Sequence, residues 1–405
     1  MPVLEYLPFR RDVWRAGKLG RAEASSSRRR SPARGLTEGD VRAWKRGQRI
    51  EEIDTPALLL DIGAAERNIR KMAEATASLP ARLRPHVKTH KTPLLARKQL
   101  AAGAIGVTCA KLGEAEVMAA GGVGEILLSS EIVGAEKVAK LVALSRLTRI
   151  ITVVDDERCA RAIGEAAKEA GLRIPALIDL DVGQGRTGVP PGEPARDLAR
   201  AVSRMPGLEL VGVQGYEGHL QHIADATTRR EKCSASMQLL VQTADLLRED
   251  GHGIGIVSTG GTGTALFAGS FPGVTELQPG SYVVMDAHYG SVEGVEFEQA
   301  ISILTSVISR NRPGIAVLDA GFKTASMDSG IPVPRGMPGA QFMFAGDEYG
   351  ILRFEKGRDD LNAGDKIELV PHHCDTTINL HDVYYVVRDG RLEDVWPVAA
   401  RGKIQ

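Results

Sequence analysis

The run "RIITVVDDERCARAIGEAAKEAGLRIPALIDLDV", Arg149 to Val182, decides the fold. It opens on a β-branched segment (149–155) and passes into a stretch whose apolar residues recur at helical spacing. It closes on a second apolar segment (175–182), so strand, helix and strand follow one another. The same alternation continues on both sides. Upstream lie the strand candidates "RLRPHV" (82–87), "GVTCA" (106–110) and "EILLSS" (125–130); downstream lie "LELVGVQGY" (208–216), "GIVSTG" (255–260) and "TELQPGSYVV" (275–284). Eight strands, most followed by an amphipathic stretch such as "KLGEAEVMAAGG", predict an α/β fold with a (β/α)8 TIM-like barrel over residues 51–291. Alternation alone also fits a doubly wound open sheet. After Val292 the texture changes: "AISILTSVIS", "GIAVLDAG", "YGILRFE", "KIELV" and "DVYYVVRDGRLEDVWPV" are joined by Gly- and Asp-bearing turns, which predicts a C-terminal antiparallel β domain over 292–405. The early run "ALLLDI" (57–62) is expected to pair with that domain.

Composition narrows the function classes. The chain has 405 residues, 43% of them hydrophobic, and no run of twenty apolar residues, so a membrane span is not expected. Residues 1–50 carry 13 Lys and Arg against 5 Asp and Glu, which leaves 38 against 46 in the body. A net charge of −8 over that body argues against nucleic acid as the partner. The segment "RAEASSSRRRSPARG" (Arg21–Gly35) has no hydrophobic periodicity, and residues 1–50 read as a basic, disordered extension. Without a secretory apolar region or a C-x-x-C pair, Cys109, Cys159, Cys233 and Cys374 read as reduced thiols in the cytoplasm.

Barrels of this kind carry their chemistry at the C-terminal ends of the strands. The first predicted strand exits into "RPHVKTHKT", where Lys88 can be held away from water, and desolvation lowers a lysine pKa and frees the amine for Schiff-base chemistry. The fifth exits into "DVGQGRTGV", with Arg186 as a fixed cationic fork, and the sixth into "GYEGHLQH", with Tyr216, His219 and His222. The seventh exits into "STGGTGTA" (258–265), whose backbone N–H groups suit a phosphate although the run is neither a Walker loop nor a dinucleotide fingerprint. An amine, a phosphate seat and polar groups for a flat ring match pyridoxal phosphate. The late segment "VPHHCDTTINLHD" adds metal-grade side chains. Read as a strand, it offers His372 with Cys374, suited to zinc, or His373 with Asp375, suited to manganese or magnesium.

Together these residues resemble the D-threonine aldolase and D-serine dehydratase group, pyridoxal-phosphate enzymes with an alanine-racemase-like barrel and a C-terminal β domain. The motifs that carry the resemblance are "RPHVKTHK", "CAKLGEAE", "DVGQGRTGV", "GYEGHLQH", "STGGTGT", "ELQPGSYVVMD", "DAGFKTASMDSG", "VPHHCDTTINLHD" and "VWPVAARGK". The resemblance implies a Schiff base on Lys88, cofactor-ring contacts from Arg186 and Tyr216, and a phosphate turn at Ser258, Gly260, Gly261 and Thr262. It implies a divalent cation on His373 and Asp375, manganese or magnesium in preference to zinc, because the aldolase branch carries His-x-Asp there and the dehydratase branch His-x-Cys. The implied reaction is cleavage of a small β-hydroxy-D-amino acid to glycine and an aldehyde, with His222 as the candidate base. The alternatives are a D-serine or 3-hydroxyaspartate dehydratase and a non-catalytic cofactor-binding protein. A homodimer is also implied, with Asp328 near the partner's site.

Overall fold

The computed structural model describes residues 44–354 and 361–405; positions 1–43 of the expected basic extension lie outside the described residues. The strands run in chain order as β1 (Ala57–Asp61), β2 (Arg82–Leu83), β3 (Val107–Cys109), β4 (Glu125–Leu128), β5 (Arg149–Val154), β6 (Ile174–Leu180), β7 (Leu208–Gly215), β8 (Ile256–Thr259), β9 (Glu276–Leu277), β10 (Ile301–Arg312), β11 (Ile315–Leu318), β12 (Val333–Pro334), β13 (Gln341–Phe344), β14 (Gly350–Arg353), β15 (Lys366–Val370), β16 (Val383–Arg388) and β17 (Arg391–Pro397).

Strands β2 to β9 form one parallel sheet in the order β2-β9-β8-β7-β6-β5-β4-β3. Its two ends meet: His86 bridges to Thr108 in parallel, and Thr108 exchanges 2.8 Å backbone hydrogen bonds with Pro85 and Val87. That seam makes the sheet a barrel and removes the open-sheet alternative. The run that opened the sequence reading supplies its middle. All of β6 is buried, as a parallel strand covered on both faces must be, and Leu127, Ile151, Val153 and Leu177 pack together as one cluster of its core. Between β5 and β6 the helix Glu157–Glu169 starts where Asp156 accepts from the N–H groups of Arg158 and Cys159 at 2.8 and 3.1 Å. It buries Ala160, Ile163 and Ala167 against the barrel. The long strand expected over 275–284 is only Glu276–Leu277, because Pro279 has no N–H to continue the ladder and residues 281–283 turn into a 3-10 helix.

The second sheet runs β13-β14-β11-β10-β1-β16-β17, with β15 on β10 and β12. Its pairings are antiparallel except that of β1 with β16. The early run therefore lies in the late sheet, Ala57 to Leu60 facing Leu304 to Ile301. The end of β15 is fixed to the last barrel loop, since the Ala287 N–H donates to Pro371 O at 3.0 Å and the His288 N–H to His372 O at 3.3 Å. Two sheets thus deliver side chains to one place. Among the described residues no helix is long and apolar enough to cross a membrane.

Candidate active site

Lys88 follows the barrel seam, one residue beyond the fully buried Val87. Its chain then turns sharply: the Lys91 N–H returns to Val87 O at 2.9 Å, with Lys91 at a positive φ of 52°. This turn separates the two lysines of the motif. Lys91 is buried on Glu114 at 2.5 Å, whereas the Lys88 amine reaches the cavity and donates to Asp375 Oδ1. Asp375 Oδ2 accepts from Thr89 Oγ1 at 3.0 Å. The charge on Lys88 differs from the sequence expectation. Burial pulls its pKa down, but the Asp375 carboxylate outweighs that and holds the ammonium above the usual lysine range. The same contact acts on Asp375: burial raises it, yet Lys88 and His373 hold it well below the usual carboxylate range.

The segment His372–Asp375 is not a strand. β15 ends at Val370, Pro371 follows, His373 is the extended N-cap residue, and Cys374–Ile378 is a short helix. Alternation of faces therefore does not apply. His373 and Asp375 converge because one precedes the helix and the other is its second residue, which sets His373 Nε2 3.9 Å from Asp375 Oδ2. His373 Nδ1 lies 2.6 Å from Asp328 Oδ2, in the same chain, which leaves Nε2 on the Asp375 side. Asp328 thus supports the His373 ring from within the same chain. Asp328 is lowered to about 2: burial opposes ionisation, but hydrogen bonds from Ser326, His373 and Thr376 prevail. His372 turns to Ser329 Oγ at 3.1 Å, and Cys374 is buried with its thiol pushed up by burial and by Asp286 and Asp375, so the zinc-type pair does not assemble.

A cavity of about 430 Å3 opens at Lys88, lined also by Arg186, Tyr216, Gly261, Thr262 and Tyr289. The Arg186 guanidinium stands 5.7 Å from the centroid of the Tyr216 ring. Ser258 and Gly260, expected on the phosphate, lie behind this wall. Ser258 Oγ accepts from Gln278 at 2.9 Å, and the Gly260 N–H points to Glu217 at 3.4 Å. The glycine turn differs from the expected cradle as well. The N–H of Gly261 donates to Thr264 Oγ1 at 3.2 Å and that of Gly263 to Gln221 Oε1 at 2.9 Å. Glycine is needed there for packing: a Cβ would fall 2.4 Å from Gln221 Oε1 at position 261 and 2.2 Å from Gln221 O at 263. Gly261 and Thr262 remain on the cavity wall as the turn's surface toward a ligand.

His222 stacks on His288, centroids 3.7 Å apart and planes 8° apart, and contacts the Tyr289 ring at 4.4 Å. His288 in turn lies 4.9 Å from His372. Burial first, then the neighbouring imidazoles His288, His373 and His372, lower His222 to about 4. It is a neutral imidazole at working pH, with a nitrogen able to take a proton. The sequence reading missed His288, Glu217 and Gln221. The last two lie inside the quoted "GYEGHLQH", but only their long-range bonds to residues 259–264 give them a role.

The residues fit the implied groups. Lys88, Arg186, Tyr216 and the Gly261–Thr262 turn face one cavity large enough for a ring and a phosphate. One imidazole nitrogen and one carboxylate oxygen, the imidazole oriented by a second carboxylate, form a donor set for a hard or borderline divalent cation. No group of three or more His, Cys, Asp or Glu side chains among the described residues converges on a cation, so water or substrate would fill the remaining positions.

Comparisons with known proteins agree with the barrel and the second, mostly antiparallel sheet. Residues 60–288 match the family described as "Alanine racemase, N-terminal domain", and residues 300–387 match "Putative serine dehydratase domain". The chain is 39% identical to a D-threonine aldolase from Arthrobacter sp over 359 residues, 88% of this chain and 95% of that protein. It is 38% identical to a 3-hydroxy-D-aspartate aldolase from Paracoccus denitrificans (strain Pd 1222), over 88% of this chain and 94% of the other. The crystal structure of a D-threonine aldolase from Filomicrobium marinum superposes with a TM-score of 0.87 at 40% identity, covering 89% of this chain and all of that one.

Proposed function

The chain belongs to the D-threonine aldolase family, and from that premise we propose that it cleaves the Cα–Cβ bond of β-hydroxy-D-amino acids to glycine and an aldehyde. The observation that supports the reading best is the Lys88–Asp375 contact beside His373, where the barrel's amine meets the second sheet's oxygen and nitrogen donors. Pyridoxal phosphate on Lys88 supplies an electron sink for the carbanion left at Cα, and a cation on His373 and Asp375 lowers the pKa of the β-hydroxyl.

The chain's own groups divide the remaining work. Arg186 and Tyr216 orient the cofactor ring, and Gly261 and Thr262 border its phosphate; Ser258 and Gly260 support that turn from behind. With its proton lost to solvent, Lys88 no longer donates to Asp375 Oδ1, which leaves that oxygen open for a cation while Thr89 still donates to Oδ2. Asp328 keeps the His373 ring in one orientation. His222, neutral and braced by His288, takes the proton from the β-hydroxyl oxygen. Manganese or magnesium suits the nitrogen and carboxylate donors better than zinc, which favours the thiolate that Cys374 does not offer. The four unbridged cysteines suit a reducing cytoplasm, and a homodimer in which the C-terminal β domain (292–405) of one copy covers the barrel mouth (51–291) of another completes the proposal.

The test is direct. Incubated with D-threonine, the cofactor- and manganese-loaded protein is expected to release acetaldehyde and glycine in equal amounts. Ammonia and a keto acid in their place would make it a dehydratase, and no turnover of any β-hydroxy-D-amino acid would leave it a cofactor binder.

A further inference from the structure

The run "ELQPGSYVVMD" ends on Asp286, an acid to which the proposed reaction gives no task. It is 0% exposed within the single chain, so its surroundings are complete whether or not a second copy docks. Met285, at a φ of 54°, turns the chain just before it. The two carboxylate oxygens then serve different elements. Oδ1 accepts from the Tyr289 N–H at 2.9 Å, and Oδ2 accepts from the Cys374 N–H at 3.0 Å. The first bond closes the turn that carries His288 and Tyr289, whose rings lie 3.7 and 4.4 Å from the His222 ring. The second reaches the one residue that stands between His373 and Asp375. The backbone bonds from Ala287 and His288 stop at Pro371 and His372, short of both donors, and Asp286 extends that contact to residue 374. Burying a carboxyl group costs stability, and the Asp375 charge opposes its ionisation.

We propose that Asp286 is a positioning residue: one oxygen sets the backbone between His373 and Asp375 for a divalent cation, and the other holds the His288–Tyr289 turn against His222. The inference rests on the aldolase reading, in which that cation and that imidazole act on one hydroxyl. Asp286 works through the Cys374 and Tyr289 backbone rather than by touching either reactant. A carboxylate is suited to this because it offers an acceptor to each element. An asparagine amide has a single oxygen, so it meets one N–H and turns its own NH2 toward the other. An alanine meets neither and leaves two buried donors unpaired.

The experiment titrates manganese into metal-free, cofactor-loaded protein and follows binding together with the visible absorbance. Asp286→Ala is expected to weaken manganese binding about tenfold or more while the absorbance is retained, and Asp286→Asn should fall between it and wild type. At saturating manganese, kcat of Asp286→Ala for D-threonine should stay below wild type with KM little changed, because the turn behind His222 is loosened. Ile163→Ala, a buried change in the helix Glu157–Glu169, is the control for lost stability alone and should bind manganese as wild type does. Wild-type affinity in Asp286→Ala, or an equal loss in Ile163→Ala, would overturn the proposal, and full recovery of kcat would overturn its His222 half. Amide hydrogen exchange needs no variant and decides the matter should Asp286→Ala not fold. The Cys374 N–H of wild type should be as protected without manganese as with it, because Asp286 holds it beforehand. Protection that arises only with manganese would overturn the proposal, since the cation would then order the segment. If wild type binds manganese and cleaves no β-hydroxy-D-amino acid, the aldolase reading fails, whereas the affinities still decide the part played by Asp286.

Discussion

Asp375 meets Lys88 through one oxygen and lies on the His373 side through the other, and both neighbours hold its carboxyl below the usual carboxylate range. The most informative neighbour is Asp328, which touches neither Lys88 nor Asp375 yet fixes the His373 ring. Asp328→Ala is expected to weaken manganese binding by about 10–100-fold, read by titration of the protein with the ion, while cofactor absorbance is retained. Unchanged affinity would mean that the His373 ring needs no such support. A second residue-scale prediction concerns stability. Burial, with Glu131 adding to it, pushes Asp179 up to about 8 although Gln214 donates to it. Below about pH 3.9 the residue is protonated in both folded and unfolded chains. Between that pH and 8 only the unfolded chain ionises, so stability falls as pH rises, by at most about 1.4 kcal/mol per unit. Asp179→Asn, which copies the protonated acid, should remove that part of the slope in denaturant unfolding between pH 5 and pH 8.

The element that joins the barrel to its ligand is the turn after β8. Its glycines looked in the sequence like an N–H cradle, and the structure gives them another reason: they lie against Gln221 from the turn after β7. Gly263→Ala should cost about 1–3 kcal/mol of unfolding free energy and weaken cofactor retention, since the Cβ would push the two turns apart. A variant with wild-type unfolding and cofactor titration would show that the turns are not coupled. Such pairings were illegible beforehand because Glu217 and Gln221 reach residues about forty positions away, a distance that local periodicity does not register. The metal segment was misread for a related reason. Four residues after Pro371 are too few to distinguish a strand end from a helix start, so His373 and Asp375 were read as strand neighbours although they stand at a helix start. The ion pair on Lys88 was equally out of view, and with it the raised rather than lowered pKa of the amine.

At the scale of the molecule the sequence was far more informative. Parallel strands covered on both faces read as uninterrupted apolar runs, and β5 and β6 with the helix between them show this pattern without ambiguity. Closure was less visible, because it depends on single-residue contacts at His86 and Thr108 rather than on a long strand. The late sheet was legible from its turns, and the early strand β1 joins it between β10 and β16. This arrangement returns the chain to one sheet before and after it builds the other, so a barrel lysine and a helix-start aspartate more than 280 residues apart in sequence come into contact. The central claim is that amine and cation act on one small molecule. It is tested most directly by adding manganese to metal-free, cofactor-loaded protein while following acetaldehyde release from D-threonine and the visible absorbance together. Wild type should gain cleavage with the metal at constant absorbance, and Asp375→Asn should keep the absorbance and gain none. Full turnover in chelator, or in Asp375→Asn, would contradict the account.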